Sequence, residues 1–273
     1  MILFIRDILS YRELVIALAL KNIIVRYKQA YFGLALAILK PLMLMLIFSM
    51  VRSFVGIDTG SNIPYPILTF AALLPWILFQ EATSESISSV VGNAALIKKI
   101  YFPRAIFPLT AVVTKIIELG INLAILALMM AWYQMAPTLQ ILWVPLILAY
   151  TILVSLCIGL AGAALNVYYR DVANMLPVGL QLMMYASPVI YPLSLVKQKL
   201  LVQQAAGSWS DILYTIYTIN PLAGIIDSFQ RGLFHGQPPD FPAIWPGFLG
   251  TLIALPISYW YFKQAESYFA DVV

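Results

Sequence analysis

Six stretches of this chain are long and apolar enough to cross a lipid bilayer, and no other feature narrows its fold so far. A hydrocarbon core of about 30 Å takes roughly 20 helical residues. Windows near 32–56, 65–89, 106–132, 141–166, 174–193 and 243–263 meet that length. Pro41, Pro75, Pro108, Pro145, Pro177, Pro188 and Pro256 punctuate most of them, which membrane helices tolerate when neighbours satisfy the freed carbonyls. With 62% hydrophobic residues and 10% charged, the chain could not cover a water-facing surface, since soluble domains carry about 25% charged residues. The expectation is an all-α integral membrane protein of six transmembrane helices. Residues 1–273 read as one domain, because neither an internal repeat nor a linker divides them. The net charge of +4 says little about nucleic acid, and none is expected as a partner.

Orientation follows from the basic residues between the spans. One side collects Arg6, Arg12, Lys21, Arg26, Lys28, Lys98, Lys99, Arg104, Arg170 and Lys263; the other has only Lys197, Lys199 and Arg231. Both termini are therefore placed in the cytoplasm. The N-terminal MILFIRDILSYRE is charged too early for a signal peptide and lacks a small-residue cleavage site. Cys157 is the only cysteine, so no internal disulfide can form.

Two segments do not span. In RELVIALALKNIIVRYKQA, residues 12–30, the polar Lys21, Asn22, Arg26, Lys28 and Gln29 share one side of a helix, as suits an amphipathic interfacial helix facing anionic lipid or a partner. Residues 207–238 hold two short helical patterns broken at Asn220-Pro221, with Ile225, Ile226, Phe229 and Leu233 in one stripe. Each is too short to cross, and they read as re-entrant or membrane-capping helices on the outer side.

Catalytic signatures are missing from the pattern. No G-x-x-x-x-G-K-[ST] loop occurs to cradle nucleotide phosphates. His235 is the only histidine, with no cysteine cluster beside it for zinc, and Ser187 and Ser194 have no base nearby in sequence to activate a nucleophile. A conduit fits better than a catalyst, with no cofactor bound by this chain.

Charges within the spans are functional candidates by default. Glu81, Ser84, Glu85 and Ser88 share one face of the second span, and Lys115, Glu118 and Asn122 one face of the third. At 1.5 Å per residue, Glu81 and Lys115 both lie roughly 12–14 Å deep. They read either as a structural ion pair or, for the glutamate stripe, as part of a hydrated translocation wall. Lys40, directly before Pro41, either snorkels to the headgroups or meets a phosphate on a lipid-linked substrate. Tyr185 in QLMMYASPVIYP sits deep enough to touch cargo.

The stretch GNAALIKKIYFPRAIFP, residues 92–108, carries three basic residues and no acid on the cytoplasmic side, yet it is apolar as well. A plain topogenic loop needs only the charges; "ALI" and "IYFP" ask for a partner.

Five stretches in this order resemble the membrane subunit of type-2 ABC exporters that move polysaccharides (O-antigen, capsule, teichoic acid). They are IIVRYKQAYFGLALAILKPLMLMLIF; PYPILTFAALLPWILFQEATSESISSVVGNAALIKKIYFPRAIFPL; NVYYRDVANMLPVGLQLMMYASPVIYP; NPLAGIIDSFQRGL; and the terminal FADVV. The resemblance implies a homodimer of six-span subunits bound to two ATP-binding-cassette subunits, with ATP and Mg on those partners. It also implies a multi-pass location in the cytoplasmic (inner) membrane of a bacterium or archaeon. A coupling helix would span 93–103, docking Asn93, Leu96, Ile97, Lys98, Lys99, Tyr101 and Phe102 into the ATPase. Residues 12–30, with Lys21, Arg26 and Lys28, would frame the cytoplasmic mouth. The 207–235 helices would form an external gate with Asn220 and Pro221 at its break. Lys40, Glu81, Glu85, Gln181 and Tyr185 would face the translocation path of a lipid-linked glycan. A type-2 ABC exporter of lipids or drugs shares this topology; a stand-alone channel or secondary transporter, or a membrane-bound transferase, stays open on the residues alone.

Overall fold

The computed structural model describes residues 10–28, 33–56, 63–99, 102–204 and 210–269, and every regular element within them is helical. In order these are α1 (Arg12–Lys28), α2 (Gly33–Val55), α3 (Tyr65–Gly92), the one-turn α4 (Ala94–Ile97) and α5 (Ile106–Trp132). A 3₁₀ turn at Leu139–Trp143 leads into α6 (Val144–Tyr168), followed by α7 (Val172–Tyr185), α8 (Leu193–Gln204), α9 (Ser210–Ile219), α10 (Pro221–Gln230) and α11 (Phe241–Glu266). Proline in the first turn opens α3, α6, α10 and α11, where its missing N–H forfeits no helical bond. Pro41 and Pro75 lie inside α2 and α3 without ending them.

Among the described residues five helices, α2, α3, α5, α6 (with its leading turn) and α11, are long and apolar enough to cross a membrane. The fifth expected span, 174–193, is only partly present as helix. α7 stops at Tyr185 after 14 residues, roughly 21 Å of rise. The cause is local: Pro188 disfavours helical backbone at Ser187, and Pro192 follows four residues later.

α3 is the axis of the bundle. Within its spanning window 83% of residues are buried, against 17% for α2 at the edge. Trp76, Phe70 and Phe79 on α3 are fully enclosed. α6 is pressed against it, because a Cβ at Gly159 would stand 2.6 Å from Ser86 Cβ and one at Gly162 2.7 Å from Ile87 Cγ1. Asn166 fixes the same joint, donating to the Ile87 carbonyl (3.2 Å) and accepting from the Ala173 N–H (3.1 Å). Two apolar clusters fill the bundle. One, around Phe48, Phe70, Trp76, Tyr150 and Phe229, lies toward the Asn220 break. The other, around Ile97, Phe102, Phe107, Phe262 and Phe269, lies toward the 93–105 connection.

The two helical patterns expected around Asn220 are present, but α10 is not a peripheral cap. Residues 222–230 are all buried, and Ile225, Ile226, Phe229 and Leu233 face the core as one stripe. The α9–α10 break is a capping event: the Asn220 side chain accepts from the Leu222 N–H (3.1 Å), and its amide donates to Ser187 Oγ (2.9 Å), tying the break to the turn after α7. α10 continues into a π turn at Arg231–His235 that ends at Gly236 with φ 59°.

Candidate translocation and coupling site

Six charged side chains from four helices meet in one network. Lys115 on α5 places Nζ 2.9 Å from Glu81, 3.1 Å from Glu85 and 2.7 Å from Glu118. Those three contacts match the three protons of an ammonium. Lys40 on α2 reaches the other oxygen of Glu81 at 2.7 Å. Arg26 on α1 binds Glu118 at 2.8 Å and also contacts Glu85. Three cations face three carboxylates, so the cluster is neutral and joins α1, α2, α3 and α5 at one level. Lys115 and Glu118 are nearly enclosed, with 5% and 8% of their side chains exposed, whereas Lys40 keeps 48% and Arg26 39%. Burial works against the Arg26 charge, but Glu85 and Glu118 outweigh it and hold its pKa above the ordinary value.

The sequence places Glu81 and Lys115 at one depth, and the structure brings them together. It adds Arg26, Lys40 and Glu118 to the same cluster, partners that helical spacing could not supply, since the groups lie on different helices. Ser84 and Ser88, expected on the polar stripe, turn their hydroxyls back to the carbonyls of Gln80 and Ser84 (both 2.8 Å). Asn122 reaches only toward the Glu118 carbonyl at 3.4 Å. Below the network a cavity of about 550 Å³ opens between α1, α3 and α5, with Lys21, Asn22, Arg26, Glu85 and Asn93 in its lining. The Lys28 side chain lies outside the described residues.

The 93–105 connection differs from its expected form. The helix among its described residues is a single turn, Ala94–Ile97, where 93–103 was expected, and Ile100 and Tyr101 lie outside the described residues. Asn93 precedes it and donates from Nδ2 to the Ser89 carbonyl at 2.7 Å. Lys98 and Lys99 are exposed and Leu96 half-buried. Ile97 and Phe102, expected to insert into a partner, are 8% and 7% exposed and belong to this chain's own core. Phe107, Phe262 and Phe269 offer them an apolar seat within the chain. Beyond the turn, the Arg104 N–H donates to Glu266 Oε1 at 2.6 Å and its guanidinium binds the Glu266 carbonyl.

On α7, Leu180 and Met184 face the core while Gln181 and Tyr185, one turn apart, are exposed. At the opposite end of the bundle, Arg231 bridges Asp227 (2.7 Å) and Asp240 (3.3 Å). Burial pushes the Asp227 carboxyl above its usual range; Arg231 works the other way, and Asp240 adds to the rise.

A family model described as "ABC-2 type transporter" matches residues 13–234, from within α1 to within the π turn. The chain belongs to the ABC-2 type transporter family. As a member it is a transport component and not a catalyst. The chain is 28% identical over 266 residues to the O-antigen export system permease protein RfbA of Klebsiella pneumoniae, covering 96% of this chain and 95% of that protein. It is 27% identical to the protein of the same name from Myxococcus xanthus, over 88% of this chain and 87% of that one. With the polysialic acid transport protein KpsM of Escherichia coli it shares 22% identity over 92% of each chain. This ABC-2 transporter is thus a multi-pass membrane protein similar to those relatives over most of its length, and not in one shared motif.

Proposed function

We propose that this chain is the permease subunit of an ATP-driven exporter that carries lipid-linked polysaccharide across the cytoplasmic membrane. The observation that carries the reading is similarity along nearly the whole chain to permeases named for O-antigen export and polysialic acid transport. Six spans are completed by α7 with the turn after it, and both termini are cytoplasmic, as the excess of Lys and Arg on that side requires. The working unit is a homodimer joined to two ATP-binding-cassette subunits, which hold ATP and Mg.

The exposed Lys98 and Lys99, with Leu96 and Asn93 beside them, meet the ATPase, and charge complementarity at an acidic rim sets that contact. Lys40, Glu81 and Glu85, together with Gln181 and Tyr185 on the open face of α7, line the path between two copies. Hydroxyl, carboxamide and aromatic groups suit a glycan better than a dry wall does. α1 frames the cytoplasmic mouth, and the Asn220-Pro221 break belongs to the outer gate.

The test is to delete the permease and, separately, to reconstitute it with its ATPase. Loss of surface polysaccharide in the deletion and hydrolysis stimulated by lipid-linked glycan are expected. Unchanged polysaccharide together with glycan-insensitive hydrolysis would defeat the proposal.

A further inference from the structure

α11 touches both ends of the machinery. At its C-terminal end, Glu266 accepts the backbone N–H of Arg104 at 2.6 Å, and its carbonyl takes the Arg104 guanidinium. Glu266 is braced by Lys263 at 2.7 Å. The Arg104 guanidinium also stands over Phe269, 5.9 Å from the ring centre. Phe269 itself is fully buried edge-on against Phe262 at 5.3 Å, in the cluster that holds Ile97 and Phe102. The segment after the Lys98–Lys99 turn is thereby clamped to the last span by a charged, a backbone and an aromatic contact at once.

The other end of α11 is fitted as closely to α10. A Cβ added at Gly247 would stand 2.6 Å from Pro221 Cα, and one added at Gly224 would stand 2.8 Å from the Ala243 carbonyl oxygen and from Ile244 Cα. In both places backbone meets backbone, with no flexible side chain between to absorb a shift. α11 is continuous helix for 26 residues with Pro246 and Pro256 inside it, and from Gly247 to Glu266 it rises about 29 Å at 1.5 Å per residue. One flank, with Leu252, Ile253, Ile257 and Trp260, is left exposed. An α-helix is stiff along its axis, and packed helices shift as units by roughly 1–2 Å when an interface repacks. A shift of α11 as a unit would carry a displacement of Arg104 to Pro221.

We infer that α11 is a transmission rod that links the 93–105 connection to the Asn220-Pro221 break, with Glu266 and Phe269 as positioning residues at one joint and Gly224 and Gly247 at the other. This rests on the proposed function, in which the first joint receives the ATPase stroke and the second moves the outer gate. Force then reaches the gate along α11 as well as through α3 and α5, the helices directly continuous with the connection.

The experiment uses the assembled exporter with a spin label at Ile219→Cys, in a Cys157→Ser background, and reads the label-to-label distance between copies with and without ATP-Mg. The unsubstituted rod gives an ATP-dependent shift. Glu266→Ala and, independently at the far joint, Gly247→Ala keep assembly and hydrolysis but lose that shift and uncouple export from hydrolysis. Glu266→Gln, which still offers an oxygen to the Arg104 N–H, retains it. A shift of unaltered size in both Glu266→Ala and Gly247→Ala overturns the rod. So does hydrolysis without any shift in the unsubstituted complex. If the unsubstituted complex neither hydrolyses ATP nor exports, the proposed function has failed first and takes the rod with it.

Discussion

Replacing Lys115 by methionine removes the hub of the charge network while keeping the volume of its aliphatic stem. Lys115 is 5% exposed and lies within 3.1 Å of three carboxylates. Without it Glu81 keeps Lys40, and Glu85 and Glu118 must share Arg26. The cluster changes from neutral to one uncompensated negative charge, with Glu118 nearly enclosed. Stranding one partner of a buried ion pair costs about 3–5 kcal/mol, roughly two to four orders of magnitude in the folding equilibrium. Lys115→Met should therefore lower sharply the temperature at which detergent-solubilised protein loses its monodisperse elution peak. Adding Glu118→Gln restores neutrality and should return a large part of the loss. Lys40→Met should cost much less than Lys115→Met, since half of the Lys40 side chain is exposed and it holds one carboxylate that Lys115 also holds. Lys115 is not the hub if Lys115→Met is no less stable than Lys40→Met, or if Glu118→Gln destabilises it further.

Reversing Glu81 and Lys115 together should not rescue assembly, because a lysine at 81 would face Lys40 and a glutamate at 115 would face Glu85 and Glu118; full rescue in elution profiles would mean an isolated pair. Phe102→Ala should cost about 3–5 kcal/mol of stability, the range for a buried aromatic, with loss of ATPase binding only in step with unfolding; a well-folded variant that fails to bind would return Phe102 to the partner interface. Lys98→Glu with Lys99→Glu should abolish ATPase co-purification at normal topology, and inverted topology in a cysteine-accessibility map would make the pair a topogenic signal instead. Asn220→Ala removes the α10 cap and the bond to Ser187, so about 1 kcal/mol and the pairing of the two outer segments should go; unchanged thermal stability would argue against the cap.

Features set by segment length and local pattern were legible in the sequence. Five spans, the break at Asn220-Pro221 and the Ile225, Ile226, Phe229 and Leu233 stripe all depend on neighbours within a few residues. α7 fell short because Pro188 and Pro192 act on the backbone after Tyr185, and a hydropathy window averages over them. The charge network was half legible: depth along a helix puts Glu81 level with Lys115, but Arg26 lies 92 residues from Glu118 and 59 from Glu85. Only the packing of α1 against α5 decides that contact. Ile97 and Phe102 are ambiguous for a related reason. An apolar side chain in a cytoplasmic connection looks the same whether it serves a partner or its own core, and here α11 supplies the seat. The Arg104–Glu266 clamp spans 162 residues and leaves no local trace.

In the proposed exporter, the exposed Lys98–Lys99 turn is where ATP hydrolysis on another subunit enters this one. Single cysteines at Lys98, Lys99 and Phe102, in a Cys157→Ser background, can be crosslinked in membranes containing the whole exporter. Crosslinks from Lys98→Cys and Lys99→Cys to the ATP-binding subunit, and none from Phe102→Cys, are the predicted result. A complex that hydrolyses ATP yet yields no crosslink from either lysine position, or yields one from Phe102→Cys alone, would contradict it.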